Sequence, residues 1–404
     1  MGNRAPRLGR DNRSCDRRSF CATVLCTGST VGLGGCLGGG GGSGVTSAIE
    51  PVGNEQFRRD LGLPEPKDDI ESELNLLVWT EYWHPNTIRD FEVAYDVSVT
   101  SRYYRSNEEL YQILAKDGLD MWDIIVPSSW MVSRMIDEEL LQPIEVNRLT
   151  NWFNLDTRWI SDAPYDIGSQ RYSVPSLWGT TGIAWHENLV NKPIDELDIT
   201  GSWDALWDKR FAKQIQLLKL PRELYAAALK RLGYSLNSTD EQEIAEATEI
   251  LVRQKELANS YAESGFTQTL INEQATPVHT FSGDAITARK QLYEDGSSPI
   301  RYRIPREGGV KWVDSLAISK KAQHPNAALT FIDYSLNKTI SARNTNFSFY
   351  ATPNEEAKTE VLPELLDDPG VYPPDYLREN LEFIEHVGDT TTAYQNGWET
   401  IQNA

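Results

Sequence analysis

The chain has 404 residues, 39 basic and 59 acidic, giving a formal charge of -20 and a pI near 4.7. That length is enough to bury a large core, and a surface this acidic repels phosphate backbones, which excludes nucleic acid and anionic ligands as expected partners. All four cysteines, Cys15, Cys21, Cys26 and Cys36, fall within the first 36 residues, so the remainder can form no internal disulfide.

Residues 1–36 read as an address. Arg17 and Arg18 follow a basic stretch and precede a weakly apolar run from Cys21 to Gly35, which resembles a twin-arginine export signal. The run is too short to span a bilayer, which needs roughly 20 apolar residues. Leu33-Gly34-Gly35-Cys36 reads as a lipobox, with Cys36 expected to become the lipid-bearing N-terminus at the outer face of the cell membrane. Removing the six arginines and two aspartates of residues 1–35 leaves 33 basic against 57 acidic residues, a net of -24. Signal, lipobox and acidity together resemble a halophilic archaeal surface lipoprotein, and dense surface carboxylate is then chiefly a solvation device. The glycines from Gly38 to Gly44 and the acidic, proline-bearing segment after them predict a flexible tether over 37–73.

From Leu74 the pattern is α/β. Leu74 to Trp79 is an apolar strand, and Pro85 opens a helix with Ile88, Phe91 and Tyr95 at helical spacing. Val97 to Tyr103 alternates as a strand does. Ser106 and Glu109 form a capping-box signature for a helix that buries Leu110, Ile113 and Leu114 and ends near Gly118. Ile124 to Val126 predicts a buried strand stopping at Pro127. This βαβαβ order implies a parallel sheet, whose ligands sit beyond the carboxyl ends of the strands, where Thr80 to Tyr82 and Ser128 to Trp130 fall.

The later chain repeats this grammar. Pro221 suits the first turn of a helix with Leu224, Tyr225, Ala228, Leu229 and Leu232 as its apolar stripe and Gly233 as its stop. Glu223 then lies in the first turn, where the helix dipole by itself favours a carboxylate. A second helix is expected from about Ser238, capped with Glu241, to about Lys255. Phe281 to Asp284 and Trp312 to Asp314 are expected to follow strands, and Gly308 with Gly309 to make a turn. No metal spacing joins the five histidines, and neither a Walker loop nor a GxSxG elbow is present, so no catalytic residue, metal or cofactor is assigned. Asn237, Asn337 and Asn346 begin glycosylation sequons.

Two runs carry the most specific chemistry. Trp79-Thr80-Glu81-Tyr82 and the stretch from Glu307 to Ile318, with Trp312 two residues before Asp314, each set a carboxylate beside an aromatic ring. That combination holds an alkylammonium ion, the acid taking the N–H donors and the ring facing the methylenes and the charge. With Asp123 to Met135, Leu149 to Asp156, Tyr172 to Trp185, Ser202 to Asp208, Pro221 to Ser235 and Tyr350 to Asn354, these strings resemble the spermidine/putrescine-binding proteins of ABC importers from about Leu74 to about Gly388.

The resemblance implies a two-lobed α/β fold of the type II periplasmic-binding kind, each lobe an open, mainly parallel sheet flanked by helices. It places 74–182 plus 313–352 in one lobe and 183–312 plus 353–404 in the other, with crossings near Gly182 and Trp312. It carries ligand contacts onto Trp79, Thr80, Glu81, Tyr82, Ser128, Glu223, Trp312, Asp314 and Tyr350, with Trp130 where the family commonly has Tyr and Phe281 where it has Trp. Leu220 stands at the position of a ligand-facing Asp and Ile384 at that of a Gln, and Asp284 is a candidate to compensate. Three pocket acids remain, Glu81 toward one end and Glu223 with Asp314 toward the other, which suits a diamine such as putrescine better than spermidine. The expected partners are a small cation and membrane permease subunits of an ABC transporter, with the protein itself a monomer. A different small solute, or a receptor role without transport, stays open; an extracellular hydrolase is disfavoured by the missing nucleophile.

Overall fold

Helix and strand alternate through the chain, and the computed structural model describes residues 53–80, 82–161, 163–166, 168, 170–190, 201–292 and 297–404. The expected export signal, Cys36, the first part of the expected tether and Glu81 lie outside the described residues. Among the described residues no helix is long and apolar enough to cross a membrane.

The second part of the segment expected to be a tether is folded instead. Helix α1 (Gly53–Leu61) sets Phe57 and Leu61 against the core around Leu63, Tyr95 and Leu329. Arg58 donates to the Ala94 carbonyl at 2.7 Å, and Lys67 pairs with buried Asp333 at 2.5 Å. Acidic, proline-bearing composition suggests a leash, but these few apolar and basic side chains find tertiary partners that composition does not display.

Strand β1 (Glu73–Trp79), helix α2 (Pro85–Tyr95), β2 (Ser98–Tyr104), α3 (Asn107–Asp117) and β3 (Ile124–Ile125) make the expected βαβαβ unit, with β1 parallel to both β2 and β3. Ser106 Oγ accepts from the Glu109 N–H at 3.1 Å, while the Glu109 carboxylate reaches back to the Arg105 N–H at 2.8 Å, one residue beyond a standard capping box. Helix α4 (Ser129–Asp137), β4 (Leu141–Gln142), α5 (Arg158–Ser161) and the long β5 (Ser173–His186) follow.

The next stretch supplies β6 (Ile215–Leu218), α6 (Pro221–Leu232), α7 (Glu241–Lys255), β7 (Ala258–Ala262), α8 (Phe266–Ile271), β8 (Val278–Phe281), α9 (Ser282–Leu292) and β9 (Ile300–Arg303). Gly233 ends α6 in the left-handed region, at φ 86°. The capping box expected from Ser238 and Glu241 does not form: Asp240 caps α7 by accepting from Gln242 N–H at 2.7 Å, and Ser238 donates to Glu243. A charged acceptor immediately before the first turn outcompetes a hydroxyl two residues further back. Then come β10 (Gly309–Ser319), α10 (Pro325–Ser335), α11 (Lys338–Ser348), α12 (Pro363–Leu366), α13 (Asp375–Arg378), β11 (Leu381–Glu382) and α14 (Thr391–Asn403).

The sheet runs β2-β1-β3-β10-β5-β8-β6-β7, with β4 and β11 on β10 and β9 on β5. It is mixed rather than mainly parallel, because β10 is antiparallel to β3 and β5, and β5 to β8 and β9. Strand β5 pairs with β10 from Ser173 to Thr180 and with β8 from Thr181 to Ala184, so one continuous strand joins the two halves of the sheet. Trp312 and Asp314 lie inside β10, not after a strand.

The sequon asparagines among the described residues are committed to the fold. Asn237, Asn337 and Asn346 each donate the side-chain N–H to a backbone carbonyl, of Phe383 at 2.7 Å, Gly62 at 2.8 Å and Glu360 at 3.1 Å. A glycan on that nitrogen would compete with these bonds in the folded protein.

Candidate functional site

Strand β10 carries the centre of the site. Trp312 and Asp314, two residues apart, project from one face of the strand, opposite Gly179 and Leu177 of β5. The Asp314 carboxylate is buried and accepts from Ser128 Oγ at 2.6 Å. Ser128, the cap position of α4, is itself held by Asn107, which donates its amide N–H to Ser128 Oγ at 3.1 Å and accepts the Ser128 backbone N–H at 3.0 Å. The buried Tyr82 hydroxyl faces Asp314 without a hydrogen bond of regular geometry. Burial pushes the Asp314 carboxyl up to about 7 against the opposing pull of Ser128 and Tyr82.

The first loop divides. Tyr82 turns inward, whereas Thr80 is exposed and bonds the Tyr104 carbonyl at 3.2 Å. The Trp79 indole N–H is already tied to the Val126 carbonyl at 2.8 Å, with its ring on Tyr104 at 4.6 Å. Glu81, expected to hold one end of the ligand, lies outside the described residues.

Around Trp312 stand Phe281, at 5.9 Å between ring centroids, and Tyr350, at 4.9 Å, both edge-on. Two glycines make the closeness possible. A Cβ on Gly179 would lie 2.5 Å from the Trp312 ring, and one on Gly283 2.4 Å from the Tyr350 ring. The Trp312 indole N–H is buried without a partner among the described residues. Trp130 is half-buried and joins Trp312 through a small cluster of Ala226, Leu236, Val310 and Ile384.

Glu223 sits in the first turn of α6, buried, beside Thr181 of β5. Its Oε2 has no hydrogen-bond partner among the described residues, and burial pushes the carboxyl up to about 7, with Thr181 and Arg222 pulling the other way. Neighbouring Arg222 directs its guanidinium elsewhere, to the Glu385 and Leu236 carbonyls and the Asn237 side chain. Glu223 and Asp314 therefore do not share one end of the site. Leu177, opposite Asp314, and Thr181, beside Glu223, lie on either side of Gly179 along β5, so the carboxylates flank Trp312. The helix-dipole account of Glu223 explains its place in the turn but not its burial.

Asp284 lies in the first turn of α9, where its Oδ1 accepts from Thr267 Oγ at 3.1 Å, and its charge helps to raise the Tyr350 hydroxyl. It borders the aromatic group, held by Thr267. Leu220 packs in the cluster containing Phe281, and Ile384 in the one containing Trp130 and Trp312. Leu220 and Ile384 thus stand among the apolar neighbours of the ring group.

Four contributors escaped the sequence reading: Asn107, Gly179, Gly283 and Tyr302, whose buried hydroxyl donates to the Thr180 carbonyl at 3.0 Å near Glu223. Asn107 follows the cap Ser106 and reads as an ordinary first-turn residue; only its distance to Ser128 reveals it. A separate cavity of about 290 Å3, lined in part by Trp159, Trp178, Lys311 and Phe383, opens on the other face of β10, and its arginines Arg158 and Arg378 are paired with Asp156 and Asp375.

Residues 86–372 match the family described as bacterial extracellular solute-binding protein. The spermidine/putrescine-binding periplasmic protein of Salmonella typhimurium is 31% identical over 344 residues, 85% of this chain and 95% of its own. A putrescine-binding periplasmic protein of Escherichia coli is 27% identical over 315 residues, covering 76% of this chain and 85% of its own. Among solved structures, a putative spermidine/putrescine ABC transporter protein from Listeria monocytogenes superposes with a TM-score of 0.73 at 28% identity, over 82% of this chain and 99% of that one.

Proposed function

This chain belongs to the bacterial extracellular solute-binding protein family, a family of transport and not of catalysis, and from that premise we propose that it captures an alkyl polyamine, a diamine before a triamine, for an ABC importer. One observation carries the proposal: two buried carboxylates, Asp314 and Glu223, flank an aromatic group, and neither forms an ion pair with a lysine or arginine among the described residues. An uncompensated buried charge costs several kcal/mol. A ligand bearing an ammonium at each end supplies the missing partners, and each of its methylenes contributes about 0.8 kcal/mol when buried between rings.

The apolar lining supports a short diamine. Between the ends, Leu220 and Ile384 offer apolar contact and no acceptor for an internal ammonium. Relatives include proteins named for spermidine/putrescine and for putrescine alone.

In this reading the strand-end loops of both halves of the sheet form the two sides of the cleft, 74–182 plus 313–352 against 183–312 plus 353–404. The chain is held at the outer membrane face through Cys36 and delivers solute to membrane permease subunits as a monomer. Titration calorimetry of the full chain in molar salt against putrescine, spermidine and spermine tests it. Submicromolar binding that favours putrescine is expected. No heat with any of the three would move the ligand outside the polyamines, the reading that Leu220 and Ile384 favour second.

A further inference from the structure

The segment that brings Ile384 to the aromatic group has little secondary structure of its own. Strand β11 adds only Leu381 and Glu382 to the edge of β10, opposite Gly309 and Val310. Beyond it the chain is held by side chains from the loop after α6. Asn237 donates its amide N–H to the Phe383 carbonyl at 2.7 Å and accepts the Glu385 N–H at 2.9 Å, bridging the backbone on either side of Ile384. One side chain thus reproduces the pairing that a neighbouring strand would give. Arg222 closes the arrangement, donating to Asn237 Oδ1 at 3.0 Å and to the Glu385 carbonyl at 3.1 Å while its guanidinium lies over the Tyr394 ring at 4.6 Å. Glu382 is fixed from the same side by Ser235 and Lys230.

We infer that Asn237, backed by Arg222, is a positioning residue for solute selectivity: it clasps residues 383–385 so that Ile384 is pressed against Trp130 and Trp312 as an apolar wall of the site. Nothing in the proposed function assigns a role to Asn237, and the inference rests on that reading only for the chemistry of the solute. Ile384 sits in a cluster with Ala226, Leu236, Val310, Trp130 and Trp312, and only Trp130 and Trp312 of these belong to the aromatic group. Because Arg222 is the residue before Glu223, the clasp also ties the wall to the first turn that carries one of the two carboxylates. Releasing the segment lets Ile384 leave the rings, which costs a short ligand its close packing and opens length for a longer one.

The test uses the full chain labelled with 5-fluorotryptophan, with the Trp130 and Trp312 resonances identified from Trp→Phe variants. In the free protein, Asn237→Ala is expected to shift both and to leave those of Trp83 and Trp398 in place. In titrations the same substitution is expected to weaken putrescine about tenfold and spermidine no more than twofold, so that selectivity falls at least fivefold. Asn237→Asp keeps the acceptor for Arg222 and Glu385 but loses the donor to Phe383, and should fall between. Ile384→Ala, which removes the wall and spares the clasp, should reproduce the loss of selectivity should Asn237→Ala fail to fold. Unmoved Trp130 and Trp312 resonances in a folded Asn237→Ala protein, or unchanged selectivity in Ile384→Ala, would overturn the inference. A native chain that binds no polyamine would defeat the proposed function, while the resonance shifts would still decide the clasp.

Discussion

The two buried acids of the site are built differently. Asp314 is anchored: Ser128 donates to it, Asn107 holds Ser128, and Tyr82 faces it from the other side. Glu223 is placed by a helix turn and a β5 threonine, with one carboxylate oxygen buried and unpartnered. An anchored acid presents charge at a fixed point before the ligand arrives, so little ordering remains to be done on binding. A poorly satisfied acid gains most of its partners from the ligand. In the proposed function, Asp314 is then the end that selects position and Glu223 the end stabilised by occupancy.

The sharpest way to break that comparison is to neutralise each acid in turn. Asp314→Asn should weaken diamine binding by more than a hundredfold in calorimetry, since a fixed contact of the positively charged ligand is lost. Glu223→Gln should weaken it about tenfold yet raise the melting temperature of the free protein near pH 8, because it removes an uncompensated buried charge. A Glu223→Gln protein that melts lower than the native one at that pH would contradict the picture of a strained end.

Acidity sharpens the same contrast. Both carboxyls stand near 7 in the free protein, above their ordinary 3.8 and 4.5. The native state holds these protons while the unfolded chain releases them, so their contribution to stability is full below about pH 4 and lost as pH rises to about 7, on the order of 4 kcal/mol for Asp314 and about 3 kcal/mol for Glu223. Ligand binding runs the opposite way, since an ammonium needs a carboxylate. Affinity for putrescine should fall about tenfold per pH unit per carboxylate below pH 7, with calorimetry at pH 8 and pH 6 as the check. The smallest effect is expected at the anchor: Ser128→Ala should weaken binding about threefold to tenfold by leaving Asp314 less fixed, and it should push the Asp314 carboxyl further up, moving the pH midpoint of binding upward.

The first βαβαβ unit was legible because its apolar spacing is local: Leu74, Phe91, Leu110 and Ile124 declare their faces at the period of the element they sit in. The tether was misread beyond Gly53 because Lys67 and Arg58 find partners, Asp333 and the Ala94 carbonyl, that are distant in sequence. The local pattern puts Trp312 and Asp314 after a strand, whereas in the sheet Asp314 occupies a buried strand position facing Ser128.

What the sequence by itself determined is the inventory: an acidic chain with its cysteines confined to the first 36 residues, α/β elements in order, and aromatic and carboxylate residues of the kind that hold an alkylammonium ion. What only the tertiary structure decided is which of them meet. Strand β5 changes partner at Thr180 and Thr181, and that crossover sets Asp314 and Glu223 on opposite sides of Trp312. Two glycines let the rings close, and a clasp from Asn237 sets Ile384 behind them. Composition and periodicity report what a residue prefers next to its neighbours in the chain; a binding site is made of contacts between residues from different elements, such as Ser128 with Asp314 and Trp312 with Tyr350, and those exist only once the sheet has chosen its register.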